Sequence, residues 1–355
     1  MTRPIVLGAG PAGSVAALLL AAGGADPILI DRDEEVGDAI CGGFLSWRTA
    51  SALRKLGCDP EVLGARQVKR LRLYAGERVA EAILPGLSYG LSRRSLDRAL
   101  RQLAVTNGAE LAIDRARSVA SGIIKGESKL WESPAIFLAT GKHDIRGERR
   151  PRRASDQALG LRVRFPASPE LEALVGETIE LHLFAGGYAG IVLQEGGSIN
   201  ICLALRKSKL GEAEGDPWKA LQIVARDNPH FAQRMACAGE RMAIDTIGSV
   251  PYGWIANHTD AGLYRLGDQA AVIPSLAGEG IAIALASARA AAECYLRGEG
   301  AGVYQQQFAQ QAARPVHTAK CLWRMAERPF GAALLVMASR YSQGLVAMAM
   351  QMSRI

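Results

Sequence analysis

The chain has 355 residues, 49% of them apolar, with 39 glycines and a formal net charge of +7. That length supports a large core or two domains, and the composition fits a compact α/β enzyme. The charge favours anionic ligands or surfaces, but with no zinc-finger spacing and no arginine-rich tail it does not point to nucleic acid. No stretch reaches eighteen uncharged apolar residues of spanning character, so no transmembrane segment is expected. Six scattered cysteines (41, 58, 202, 237, 294 and 321) without a CxxC fit a reducing compartment, and a cytoplasmic location is expected. The first strand begins at residue 5, so no signal peptide is expected ahead of it.

The first predicted elements are an apolar strand over 5–7, the turn Gly8-Ala9-Gly10-Pro11-Ala12-Gly13, a buried helix over 14–22, and a second strand that ends in Asp31. Gly8 permits the tight turn, Gly10 lets a phosphate approach the backbone, and Gly13 lets helix and sheet pack closely. The helix N-terminus then faces a pyrophosphate, and an acid at the end of the second strand can accept bonds from both hydroxyls of a ribose. Arg32 follows, and then Cys41-Gly42-Gly43, where paired glycines suggest backbone pressed against a flat group. Cys41 either points into an active cavity or is a small core residue. An amphipathic helix is predicted over 46–57, a half-exposed strand over 68–74, and a helix over 94–106 with Arg93 just before it. Short strands follow over 109–113 and 116–124, and residues 131–138 return to the sheet ahead of Ala139-Thr140-Gly141. The run 142–153, rich in Lys and Arg, reads as a solvated loop or as a steering surface for an anionic partner.

Beyond residue 160 the pattern changes to short alternating runs over 161–165, 178–184, 188–194 and 198–205, as in an antiparallel sheet. Phe184, Tyr188, Ile191 and Leu193 are candidate cavity-lining residues, and 216–237 is helical. A strand over 263–266 ends in Gly267-Asp268, and Gly278-Glu279-Gly280-Ile281 opens an Ala-rich helix to residue 296. Those glycines repeat the physics of the first turn. The last forty residues are basic, apolar helices that either cover the nucleotide domain or lie on anionic lipid. No cluster has metal-ligand spacing, and no Gly-x-Ser-x-Gly elbow supports hydrolysis.

Taken in order, Gly8-x-Gly10-x-x-Gly13, Asp31-Arg32, Arg93-x-x-Leu96-Asp97-x-x-Leu100, Ala139-Thr140-Gly141, Gly267-Asp268, Pro274 and Gly278-Glu279-Gly280-Ile281 resemble the FAD-dependent superfamily of aromatic hydroxylases and geranylgeranyl reductases. The resemblance spans residues 4–300. It implies an α/β fold: a Rossmann-like FAD-binding domain of the glutathione-reductase and p-hydroxybenzoate-hydroxylase type, formed by 1–160 and 250–300. Strands near 65–90 would belong to an antiparallel-sheet substrate domain over 161–249, with a helical cover over 301–355. It implies an FAD site made of Gly8, Gly10, Ala12, Gly13, Asp31, Arg32, Cys41, Gly42, Arg93, Thr140, Gly141, Gly267, Asp268, Gly278, Gly280 and Ile281. Asp31 would meet the adenosine ribose, Asp268 the ribityl or pyrophosphate region, and Gly278, Gly280 and Ile281 the isoalloxazine. Cys41-Gly42-Gly43 and Tyr252-Gly253-Trp254 resemble the reductase branch, with Cys41 near the flavin and Trp254 lining a lipid cavity; these two are the candidate catalytic residues. Thr140-Gly141 departs from the Asp-Gly usual in hydroxylases.

The expected activity is hydroxylation of a hydrophobic aromatic or polyketide-like substrate by an FAD monooxygenase. Reduction of isoprenoid double bonds is the alternative, and a non-catalytic flavin-binding subunit is a third reading. NAD(P)H would dock transiently as electron donor, with a ferredoxin-type redox partner as the alternative. Partners are a hydrophobic small molecule and, at most, a membrane surface contacted peripherally.

Overall fold

The computed structural model describes residues 3–152, 154–237 and 241–355. The chain opens with β1 (Ile5–Leu7), α1 (Pro11–Ala22) and β2 (Ile28–Asp31). Next come β3 (Phe44–Leu45), α2 (Trp47–Lys55), the long hairpin β4 (Arg66–Ala75) and β5 (Arg78–Gly90), α3 (Arg93–Thr106) and β6 (Glu110–Ile113). The small strands β7 (Ser118–Ala120), β8 (Ile123–Lys125) and β9 (Leu130–Glu132) precede β10 (Ile136–Leu138). β11 (Ala158–Phe165), α4 (Pro169–Val175), β12 (Thr178–Phe184), β13 (Gly187–Leu193) and β14 (Ile199–Arg206) form the middle of the chain. Then follow α5 (Lys207–Glu212), α6 (Pro217–Asp227), α7 (Pro229–Cys237), β15 (Ile244–Val250) and β16 (Leu263–Arg265). Four helices close the chain: α8 (Gly280–Leu296), α9 (Ala301–Ala326), α10 (Pro329–Tyr341) and α11 (Gln343–Met352).

Helix starts follow local chemistry. Ser46, Ser92 and Ser168 cap α2, α3 and α4 by accepting the N–H of Thr49, Ser95 and Leu171, and Asp216 caps α6 ahead of Pro217. Side chains bond no N–H at the starts of α1 and α8.

Among the described residues, a parallel sheet runs in the order β16-β10-β1-β2-β6, and α1 packs against α3 and α8 beside it. Its central strands β1 and β10 are buried on both faces, which accounts for their continuous apolar sequence, while the edge strand β6 is partly exposed. An eight-stranded sheet runs β15-β11-β14-β13-β12-β4-β5-β3; its pairs are antiparallel except β12 with β4. One face packs on α4, α6 and α7 through Leu161, Ile191, Leu203, Leu221 and Phe231, while the other meets α9 and α10 through Leu73, Tyr188, Val192, Trp323 and Val336. The expected return of 131–138 to the main sheet divides in two: Trp131 lies in the separate sheet β7-β8-β9, and only 136–138 join β1. The chain re-enters the parallel sheet at β16, so residues near both ends build it.

Candidate active site

The two glycine turns face one cavity of about 1100 Å³. Gly8 has φ +102°, and a Cβ there would lie 2.6 Å from the Ala139 carbonyl oxygen. A Cβ on Gly13 would lie 1.8 Å from the Gly8 carbonyl oxygen, so α1 reaches the sheet only with glycine at that position. A Cβ on Gly10 would meet only the Arg93 guanidinium, 3.4 Å away, and nothing lies within 4 Å of one on Gly280. The starts of α1 and α8 therefore offer uncapped N–H groups to open space, the arrangement that holds a pyrophosphate and an electron-rich ring edge.

Asp31 ends β2 in this cavity, and its carboxylate accepts from Ala9 N at 2.6 Å and Asp33 N at 3.1 Å. The acid thus also fixes the glycine turn. Arg32 lines the same mouth and pairs with Asp33 at 2.7 Å. Arg93, the first residue of α3, grips Asp97 with two bonds of 2.8 and 2.7 Å while facing the cavity. Opposed by burial but held by Asp97, its guanidinium stays above the usual arginine range. Gly267 adopts φ +55° and donates its N–H to Ser287, which leaves Asp268 at the cavity wall. Ala12, Thr140, Gly141, Gly278 and Ile281 line the same space, and Gly13 stands one layer behind it.

The Cys41 loop also lines the cavity. Asn200 on β14 donates to the carbonyls of Cys41 and Gly42 at 3.1 and 2.9 Å, and Lys142 donates to Ile40 O at 2.7 Å. Arg162 and Arg164 on β11 both reach Asp38 at 2.7 Å. The basic run is therefore only partly solvated. Lys142 turns inward, and the buried Arg150 pairs with Asp144 at 2.6 Å and donates to Asp268 O at 3.0 Å. Gln269 donates to Gly141 O and His143 O, tying the two halves of the nucleotide site together. These ties join residues up to about 160 positions apart, and their partners carry no motif, so sequence reading missed them.

Beyond the Cys41 loop the cavity continues between the eight-stranded sheet and the terminal helices. Leu73, Leu84, Leu181, Leu183, Leu335 and Val346 line that part. Strand alternation corrects the expected lining: Tyr188 faces the cavity, whereas Ile191 and Leu193 lie on the opposite face, in the core against α4, α6 and α7, and Phe184 packs on that core too. Trp254 does not line the cavity either. The turn after β15 sends Tyr252 inward, and Trp254 continues the backbone pairing with Val272.

Residues 1–121 match the family model described as an FAD binding domain. The digeranylgeranylglycerophospholipid reductase 2 of Methanopyrus kandleri is 28% identical over 314 residues, covering 81% of this chain and 75% of its own. The geranylgeranyl bacteriochlorophyll reductase-like protein of Thermoplasma acidophilum has a TM-score of 0.77 at 18% identity, covering 99% of this chain and 95% of that one. PqsL of Pseudomonas aeruginosa has a TM-score of 0.72 at 18% identity, covering 95% and 99% of the two chains. The two structural likenesses establish the shared fold. With both glycine turns, Asp31 and Asp268 converging on one cavity, residues 1–121 carry a matched FAD-binding domain in a chain that is similar over most of its length to a digeranylgeranylglycerophospholipid reductase.

Proposed function

We propose that this protein is an FAD-dependent reductase that saturates carbon–carbon double bonds in a prenyl-type chain. The observation that carries the reading is the apolar half of the cavity, continuous with the nucleotide turns and walled by Leu and Ile side chains. A linear hydrocarbon buried there gains about 25 cal/mol per Å² of apolar surface removed from water, enough for one chain to dominate affinity. The digeranylgeranyl substrate in the name of the Methanopyrus relative supports the same ligand class. Thr140-Gly141 and the Cys41-Gly42-Gly43 loop support the reductase branch. Double-bond reduction thus moves ahead of the hydroxylation expected from sequence. Monooxygenation is the second reading, because a cavity that excludes water also suits oxygen transfer.

FAD would be held by Gly8, Gly10 and Gly13 at the pyrophosphate, with Asp31 at the adenosine ribose and Asp268 at the ribityl chain. Arg93 would lie beside these groups, and Gly278, Gly280 and Ile281 against the ring. When bound, the flavin supplies the two electrons, reloaded by a nicotinamide or a small redox protein. The chain's own residues orient the ligand, exclude water and furnish the proton. The exposed apolar and basic surface of α10 and α11 supports peripheral contact with anionic lipid, from which such a ligand would enter.

The test is anaerobic. FAD-loaded enzyme is reduced with dithionite, mixed with geranylgeraniol in detergent, and then opened to air. Flavin reoxidation before air, with a saturated product, is expected. Reoxidation only on admitting oxygen, with labelled oxygen entering a product, would overturn the reading in favour of the monooxygenase. Flavin retention without turnover on either route would favour a non-catalytic subunit.

A further inference from the structure

Where the Cys41 loop meets the apolar half of the cavity, three hydroxyls converge. Tyr188 on β13 donates to Ser275 Oγ, and Tyr252 Oη lies 2.7 Å from the same oxygen. Ser275 follows Pro274 and opens the turn that leads to Gly278 and α8. All three residues line the cavity. Three hydroxyls carry three protons, but only two hydrogen bonds join them. One proton is left to donate, and beyond this cluster the wall is mostly leucine, isoleucine, valine and methionine. A cluster with a spare donor in such a place serves a ligand.

We propose that the Tyr188–Ser275–Tyr252 hydroxyl chain donates the proton that completes double-bond reduction. This rests on the reductase reading above. Saturating a double bond breaks its π bond and forms two C–H bonds. One carbon takes a hydride equivalent from reduced flavin, which is left oxidised, and the other takes H⁺ from the hydroxyl chain. The tyrosinate that remains recovers its proton from water after product leaves.

When one carbon of the double bond receives hydride, its neighbour becomes far more basic than any tyrosinate, so the weak acidity of a phenol is no handicap. What matters is that the donor still holds its proton when hydride arrives. Burial achieves this: it raises the Tyr188 hydroxyl well above its usual range and pushes Tyr252 the same way, against the lowering effect of Ser275. The groups facing the chain are Cys41, Cys202 and, farther off, Asp268, with Lys320 beside Gly253 and Trp323 edge-on to Tyr252. Burial pushes the Cys202 thiol up to about 12, so it adds no negative charge near neutral pH. The donor is therefore protonated throughout the physiological range, and the chemical step is flat with pH from about 6 to 9.

The experiment measures single-turnover reoxidation of dithionite-reduced, FAD-loaded enzyme by geranylgeraniol in detergent, with FAD uptake checked for each variant. Tyr252→Phe, Tyr188→Phe and Ser275→Ala are expected to slow reoxidation about 100-fold with FAD uptake intact, and Cys41→Ser is measured beside them. A second readout needs no turnover. Alkaline titration of the tyrosinate band in flavin-free protein should show late-ionising phenols, Tyr264 and Tyr304 among them, with one fewer in each Tyr→Phe variant. Wild-type turnover with undiminished rates in all three hydroxyl variants overturns the proposal while leaving the reductase reading standing. So does loss of rate in Cys41→Ser alone, which makes the thiol the donor. A late-ionising set that neither Tyr188→Phe nor Tyr252→Phe diminishes also overturns it. If the wild-type enzyme leaves geranylgeraniol unreduced, the reductase reading itself falls, and the proposal with it.

Discussion

Gly10 and Gly13 stand three residues apart in one turn, yet the same substitution has different consequences at each. At Gly13 the added Cβ would sit 1.8 Å from a backbone oxygen, which nothing short of moving α1 can relieve. Gly13→Val should abolish FAD uptake and reduce soluble yield, since α1 packs against both α3 and α8. At Gly10 the only neighbour is the end of the Arg93 side chain, 3.4 Å away. Gly10→Ala should fold normally, but its methyl group occupies the path of the phosphate, so FAD affinity should fall about tenfold or more. Thermal melting and flavin fluorescence of the two purified variants separate these cases. A Gly10→Ala protein that binds FAD like wild type would show that the pyrophosphate lies elsewhere. This contrast was partly legible in the sequence, because glycine spacing between two apolar strands restricts what the turn can do. The Tyr188–Ser275–Tyr252 cluster was not. Its members are 64 and 23 residues apart, and no local pattern marks a hydroxyl whose partner arrives through the fold.

Between elements, the eight-stranded sheet is pinned on its outer side by one buried acid. Glu180 on β12 is fully buried and accepts from Arg72 on β4 at 2.9 Å, from Arg234 on α7 at 2.8 and 3.0 Å, and pairs with His182 at 3.1 Å. Tyr74 stacks on His182 and lies over the same cluster. The hydrogen bonds of His182 and Arg234 overcome desolvation and hold the Glu180 carboxyl at about 2, below its usual 4.5. Burial holds His182 below 6.5. Both shifts act in one direction: the stability they contribute is complete above the unfolded pKa values and is lost as pH falls through the folded ones. Glu180→Ala strands the buried Arg234 guanidinium, takes one partner from Arg72, and should cost about 3–5 kcal/mol. The protein should also lose stability steeply toward pH 2, a limb that the variant should show weakly. Chemical denaturation between pH 2 and 8 tests this, and an unchanged midpoint for the variant would refute it. Period-two alternation revealed the strands of this sheet in the sequence, but not which face each side chain takes. In β13 both parities are apolar, so Ile191 and Tyr188 read alike although they lie on opposite faces. Helix over 216–237 was legible as one run, but Asn228-Pro229 divides it into α6 and α7, since proline disfavours helix in the residue before it. The 131–138 run divides in the same way, because Ser133-Pro134 ends one strand before the next begins.

At the scale of the whole molecule, charge and apolar surface are both concentrated at one end. Residues 328–355 contain no Asp or Glu. Phe330, Leu334, Met337 and Tyr341 recur at steps of four, three and four along α10, and are 84%, 45%, 50% and 80% exposed. The opposite side of the helix, with Ala332 and Val336, packs onto the sheet. On α11, Leu345 and Met348 are exposed and also line the cavity, so the apolar surface is continuous with the route inward. Arg324, Arg328 and Arg340 are exposed around it. No helix of the described residues is long and apolar enough to cross a membrane. A greasy stripe ringed by cations instead fits the surface of an anionic bilayer. Each such arginine contributes about 1 kcal/mol at that surface, and salt screens the attraction over about 10 Å at 0.1 M. The protein should therefore sediment with phosphatidylglycerol vesicles and not with phosphatidylcholine vesicles, and about 0.5 M salt should weaken binding tenfold or more. Phe330→Glu with Tyr341→Glu should abolish binding while FAD uptake and reoxidation by detergent-solubilised geranylgeraniol persist, since neither residue lines the cavity. Equal binding to neutral vesicles would remove the electrostatic half of the prediction. A wild-type dimer in solution that the same double variant dissociates would assign the stripe to a second copy of the chain. Retained vesicle binding by the double variant would place the contact on another face.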